Sequence, residues 1–399
     1  MAIELSYVLI TPYSLMKSRT GGIIARLLSR SDLELVGAQV LIPSEEFGRK
    51  YSASLCTQLE DNDPFAAKLF SDYIRENLLP QGEENPVRIL ILLFRGEEAC
   101  RKLSEIVGSH LPNAKHRQSS DIIGETIRDT YADLVFNRDG SLNYFEPAVF
   151  TPSDPEAALQ KLEIIADEAE KSPNLVEVNP KDENPEKTLV VIKPDNWREP
   201  STKPGSIIDM FSRTGLKIVS CKIHPMSVQD ALELYAPVKD SLRKTLAPAI
   251  AEKARLELEG AFGIKIGKER EKQFIDTVGI PYADEQFNRI IEFMSGFRPD
   301  ALNESEYQLP GKVKSMVLVY EGKNAVSKIR DVLGPVDPTQ APGGTIRREF
   351  GHDVMVNTAQ SSDSEESFLR ESNILKIRYN SMAAIIRKYL QEINQNNIK

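Results

Sequence analysis

Four stretches of the chain return in the same order after a gap. "SYVLITPY" (6–13) is answered by "TLVVIKPD" (188–195), and "LLSRSDLELVGAQV" (27–40) by "MFSRTGLKIVSCKI" (210–223). "LLFRGEEACRKLSEIVG" (92–108) is answered by "LVYEGKNAVSKIRDVLG" (318–334), and "GETIRDTYADLV" (124–135) by "GGTIRREFGHDV" (343–354). Between the two series lies "EKSPNLVEVNPKDENPEK" (170–187), rich in Pro, Asn and charge, which is linker composition. Each series alternates short apolar strands with helical patterns. Few strands in such alternation predict an α+β sandwich of the split βαβ, ferredoxin-like kind (βαββαβ), twice over, with antiparallel sheets covered by helices. The expected boundaries are a first domain at 1–170, a linker at 171–187, a second domain at 188–375 and a C-terminal helix and tail at 376–399.

The halves differ in their additions. The second carries about 44 extra residues before its third strand, read as a helical insertion over about 244–282 with a Gly-rich turn. A loop is expected at 297–312. The first half adds a segment at 109–123, where His110 and His116 are expected to be solvated. It also adds a hairpin at 135–147 turning at Asp139-Gly140. Near the C-terminus, Met382, Ile385, Ile386, Tyr389, Leu390 and Ile393 recur at helical spacing, an apolar stripe suited to covering a domain face or a partner.

Composition excludes some functions. A net charge of -9 argues against general nucleic-acid binding and against anionic membranes. No apolar run exceeds strand length, so no membrane span is expected, and the N-terminal residues do not read as a signal peptide. Three scattered cysteines fit reduced thiols in the cytoplasm, and four dispersed histidines make a zinc site improbable.

Chemistry concentrates in the second half. Lys193 closes the first strand before Pro194; Arg330 lies in the last turn of a helix; Arg347 follows a Gly-Gly pair whose backbone can approach a ligand. A Lys and two Arg converging on one pocket would suit a polyphosphate, with Arg gripping oxygens in pairs and Lys adding a compact charge. The stretch "VMVNTAQSSDSEES" (354–367) reads as a strand, a turn carrying Asn357 and Gln360, and the first turn of a helix. His224 is expected to be structural, and His352 to lie on the strand.

The motifs "VVIKPD", "IRDVLGPVDPTQAPGGTIRREFG" and "NTAQSSDSEE", in this order, resemble the nucleoside diphosphate kinase family over 187–375; the first half looks like a diverged copy. The resemblance implies binding of nucleoside di- and triphosphates (ATP and ADP) with Mg²⁺ on the phosphates, and a histidine that carries the phosphoryl group between them. It places Lys193, Tyr235, Phe287, Arg330, Arg347 and Asn357 at nucleotide-binding positions, and Glu371 where a glutamate supports the histidine. It also implies that the two halves pack as the family's dimer and that homo-oligomers can form.

This chain departs from the pattern at the centre. Gln360 stands where the family has histidine, Ser361 where glycine is usual, and Val336 where a threonine contacts phosphate. An amide nitrogen is a poor nucleophile, because its lone pair is delocalised into the carbonyl. In the first half Thr11 and Ser104 replace the Lys and first Arg, Thr151 is expected at the histidine position, and Arg128 alone persists. The favoured expectation is a nucleotide-binding pseudoenzyme. The alternatives are an active phosphotransferase using another route (direct in-line transfer, or Ser361, Ser362 or His352 as nucleophile) and a non-catalytic scaffold.

Overall fold

The computed structural model describes residues 3–60, 63–79, 86–109, 124–178 and 185–397, so His110, His116 and part of the expected linker lie outside the described residues. The chain divides into two compact units. The larger comprises Met1–Ile223, Met316–Ser372 and Lys376–Lys399; the smaller comprises His224–Ser315 and Asn373–Leu375.

The larger unit contains two four-stranded sheets of one topology. In the first, β1 (Ile3–Ile10), β2 (Glu34–Leu41), β3 (Ile89–Glu97) and a late strand at Val149–Phe150 take the spatial order second, third, first, fourth. Between β3 and that late strand, β4 (Asp133–Phe136) and β5 (Leu142–Glu146) form the expected hairpin, with Gly140 at φ 82° in its turn; the late strand is therefore β6. In the second sheet, β7 (Glu186–Ile192), β8 (Lys217–His224), β9 (Ser315–Gly322) and β10 (Ala359–Ser361) repeat that order, the last strand beside the first. This is the ferredoxin-like α+β arrangement. The central strands are unbroken apolar runs, "ILILLF" in β3 and "LVVI" in β7, fully buried as sheets covered on both faces require.

The correspondence extends to unusual backbone. Glu98 and Asn324 precede their helices at φ 53° and 55°, Gly108 and Gly334 follow them at φ 89° and 83°, and Ala148 and Thr358 lie at φ 63° and 76° just before the fourth strands. Left-handed conformations in residues other than glycine are uncommon, so the two matched non-glycine pairs are a specific signature.

The helix Thr20–Ser29 packs on the helix Lys203–Ser212, with glycines at the crossing. A Cβ on Gly21 would lie 2.4 Å from the Asp209 backbone nitrogen, and one on Gly205 2.3 Å from that of Ala25. No residue but glycine fits at either point without moving a main chain.

The C-terminal stripe covers a face of the first half. In the helix Met382–Asn397, Met382 and Ile386 enter the core formed by Leu5, Leu93 and Ile165. Arg387 donates to Asp167 (2.5 Å) and Glu170 (3.0 Å) on the helix Pro155–Lys171. Just before it, Asn380 Nδ2 donates to Ala38 O (2.8 Å) on β2 and Asn174 Oδ1 (2.7 Å), with Cys221 O of β8 at 3.3 Å.

The smaller unit is helical over 236–262 and 268–295, longer than the expected insertion, and turns at Gly263 (φ 63°). Arg243 grips Asp284 with two hydrogen bonds of 2.7 and 2.6 Å. The segment 297–312 contains two short 3₁₀ turns. His224 lies 3.2 Å from Asp230 Oδ2, a packing contact.

Candidate functional site

The expected strand at 354–356 does not form. Asp353 Oδ1 accepts from the backbone N–H of Met355 (2.8 Å) and Val356 (2.7 Å), and this local turn competes with the ladder. His352 consequently sits on the turn with its ring largely in solvent, not on a strand. The strand begins at Ala359, so Gln360 belongs to β10, opposite Val191, rather than to a turn. Thr358 makes the bend: at φ 76° a β-branched residue is strained, and its hydroxyl is buried without a partner.

That bend brings three expected residues together. Lys193 follows β7 and donates its backbone N–H to Thr358 O (2.9 Å). Its ammonium donates to Asn357 Oδ1 at 2.6 Å, and Asn357 Nδ2 donates to Val336 O and Val354 O. Arg347 donates to Gly334 O (2.8 Å) and Ala359 O (3.1 Å), tying the end of the helix Ala325–Leu333 to β10. Burial, and then the nearby Arg347 charge, push the Lys193 pKa down to about 8. Arg330 stands on the same helix end, exposed, 4.0 Å from Asp363.

Behind β10, Ser362 Oγ donates to Glu371 Oε2 at 2.6 Å. Ser362 is fully buried, and burial raises the Glu371 carboxyl above its ordinary range. Tyr235 and Phe287 belong to the smaller unit; both are buried, and Lys239 Nζ lies 5.3 Å from the Phe287 ring centroid. Sequence reasoning overlooked Thr358, because a threonine between Asn and Ala carries no signal of a left-handed backbone.

The first half builds the same framework and fills it. Arg128 donates to Gly108 O (2.8 Å) and Val149 O (3.1 Å), as Arg347 does to Gly334 and Ala359. The register Ile10–Val149, matching Ile192–Ala359, puts Phe150 opposite Leu9 where Gln360 faces Val191. The counterpart of Gln360 is therefore Phe150, not Thr151: alignment of the flanking letters was one residue out, and strand pairing corrects it. Phe150 packs against Tyr51, Phe70 and Tyr73. Thr11, in the place of Lys193, donates to Glu146 Oε1 (2.7 Å), and Tyr73 donates to Glu146 Oε2 (2.6 Å). Glu371 is replaced by the buried Lys161, which donates to Gln58 Oε1 (2.6 Å) and whose pKa burial lowers to about 8.

A ferredoxin-like sheet whose edge strand runs beside a buried Lys, Arg and Asn defines an α+β protein with a cationic cradle. The nucleoside diphosphate kinase family model matches residues 305–377. The nucleoside diphosphate kinase of Helicobacter pylori strain Shi470 is 30% identical over 186 residues, covering 47% of this chain and 91% of its own. That of Staphylothermus marinus is 29% identical over 192 residues, covering 48% and 93%. Among solved structures, an NDP kinase from Pyrobaculum aerophilum superposes with a TM-score of 0.32 at 24% identity, covering 48% of this chain and 95% of that one. The chain belongs to the nucleoside diphosphate kinase family.

Proposed function

We propose that the second half binds nucleoside di- and triphosphates, ATP and ADP among them, and that Gln360 leaves it without phosphohistidine transfer. The observation carrying this reading is the convergence of Lys193, Arg347 and Asn357 around the bend before β10. A lysine with a pKa near 8 is largely charged at neutral pH, and its ammonium can exchange the Asn357 amide oxygen for a phosphate oxygen, a stronger acceptor. Arg330, exposed at the same helix end, adds a second grip, while Tyr235 and Phe287 are assigned to phosphate and base by family likeness.

Mg²⁺ would arrive on the phosphates. Among the described residues no three ligating side chains cluster, and Asp363, 4.0 Å from Arg330, is one carboxylate that could meet a nucleotide-borne ion. The ion would neutralise phosphate charge. Transfer through Ser362 is disfavoured, because its hydroxyl is fully buried and committed to Glu371.

The first half, in this reading, is a diverged copy of the domain that has exchanged nucleotide binding for packing, and the two halves form the family's dimer within one chain. Further homo-oligomers and a cytoplasmic setting are consistent with it. Among the described residues no helix is long and apolar enough to cross a membrane.

Calorimetric titration with Mg-ADP should give saturable binding that Arg347→Ala weakens by about tenfold or more. Absence of binding at millimolar nucleotide would leave only a scaffold. Triphosphate–diphosphate exchange at rates typical of the family, abolished by Arg347→Ala, would instead establish a transferase working without histidine.

A further inference from the structure

A cleft of about 490 Å³ opens in the larger unit beside the glycine crossing, away from Lys193 and Gln360. Its floor includes Gly22 and Tyr131 from the first half, and its opposite wall Met210, Glu349 and Phe350 from the second. The volume is within the range of small-ligand sites. What it is shaped to hold can be read from the corresponding place in the first half.

There, the helix Thr20–Ser29 faces the segment 124–131, and Arg26 fills the space between them. Its guanidinium donates to Thr126 O and Thr130 Oγ1, both at 2.6 Å, and lies 5.4 Å from the Tyr131 ring centroid. The crossing is reciprocal, Gly21 against Asp209 and Gly205 against Ala25, which pairs this helix one residue out of step with the letter match of 27–40 to 210–223. On that structural pairing Arg26 corresponds to Met210 and, with Arg128 matched to Arg347, Thr130 to Glu349 and Tyr131 to Phe350. The second half thus keeps an aromatic ring and the carbonyl-bearing segment, and changes the hydroxyl acceptor to a carboxylate. In the arginine's place it has Met210, and Glu349 Oε1 accepts from the Gly344 N–H at 3.2 Å. Asp209 adds a second carboxylate to the wall, and Arg213 a cation, so the lining charges leave a net negative site.

We propose that this cleft is a seat for a guanidinium group brought by a ligand, taking the place in the second half that Arg26 takes in the first. A planar cation suits a ring face on one side and carboxylate oxygens on the other, where a forked donor can make paired hydrogen bonds. The group can come from a small alkylguanidinium or from an arginine side chain of another protein. None of its lining residues is among those assigned to the nucleotide.

Titration of the full chain with n-butylguanidinium, followed by NMR shifts or calorimetry, should saturate, while the isosteric n-butylurea should not. Glu349→Gln should weaken the binding by about tenfold, the loss of one charge-assisted pair. Met210→Arg should abolish it by filling the seat from within, with Mg-ADP titration unchanged. A blocked Gly-Arg-Gly peptide binding at least as tightly as butylguanidinium supports a protein-borne arginine, and binding of butylguanidinium alone supports a small ligand. Equal response to the urea, or undiminished binding in Glu349→Gln, would overturn the assignment. Because Glu349 is exposed, that variant is testable even if Met210→Arg fails to fold.

Discussion

At the scale of single residues, Gln360 and Lys161 make opposite trades. In the proposed reading, Gln360 keeps the site's shape without a nucleophile. Gln360→His should therefore acquire an acid-labile phosphate on incubation with Mg-ATP, seen by intact mass. It should raise triphosphate–diphosphate exchange about 10²-fold, a fraction of the ~10⁶-fold that loss of a nucleophile costs in a well-built site. Ser361 beside it and Val336 keep the expectation below family rates. Lys161 buries an ammonium where the second half has Glu371. Its folded pKa, about 8, lies below the 10.5 of the unfolded chain, so the unfolded chain holds more protons between those values. Its penalty is full below pH 8 and shrinks as pH rises through that window. Lys161→Met should stabilise the protein by about 1–2 kcal/mol at pH 7, after the unpaired Gln58 amide is counted, and should flatten stability against pH from 8 to 10.5. Gln360 and the framing Asn357 were legible in the sequence because chemistry is tied to residue type. Phe150 was not, because only strand register separates it from Thr151.

At the scale of elements, the helix crossing is the least forgiving contact. Gly21→Ala would drive a methyl into the Asp209 backbone and should cost about 3 kcal/mol in denaturant unfolding. Gly260→Ala, inside the helix Ala247–Phe262 with nothing near its Cβ, should instead gain about 0.5–1 kcal/mol, the helix-propensity difference. The sequence predicted the first three strands of each sheet, the hairpin and the C-terminal helix, since each is an apolar pattern of definite period. It misplaced the strand before Gln360, because "VMV" (354–356) has strand composition while Asp353 captures its amides. The close approach at Gly21 and Gly205 was equally hidden: a glycine in a helix reads alike whether it faces solvent or another main chain.

At the scale of the whole molecule, one sheet topology carries a cradle in one half and a packed aromatic cluster in the other. Calorimetry should accordingly find one Mg-ADP per chain, not two. Arg128→Ala should leave that titration unchanged while lowering stability, since Arg128 holds the Gly108 and Val149 carbonyls and faces the Phe70 ring of its own half. Two bound nucleotides would show that Phe150 and Tyr73 swing aside. The shared topology was legible from the matched motifs; the filling of the first cradle was not, since Phe70 and Tyr73 come from a helix with no matching motif in the second half.

The helix Met382–Asn397 has a consequence for synthesis. The first half is translated first, yet Met382 and Ile386 belong to its core beside β1 and β3. While the chain is emerging from the ribosome, that half can collapse but has an open seam, exposing apolar surface until Met382 and Ile386 have been made. Closing that seam joins β1 to a helix that begins only at Met382, the kind of long-range contact that slows folding. Ribosome-bound chains stalled before Met382 should remain protease-sensitive in the first half, and release of the completed chain should protect it.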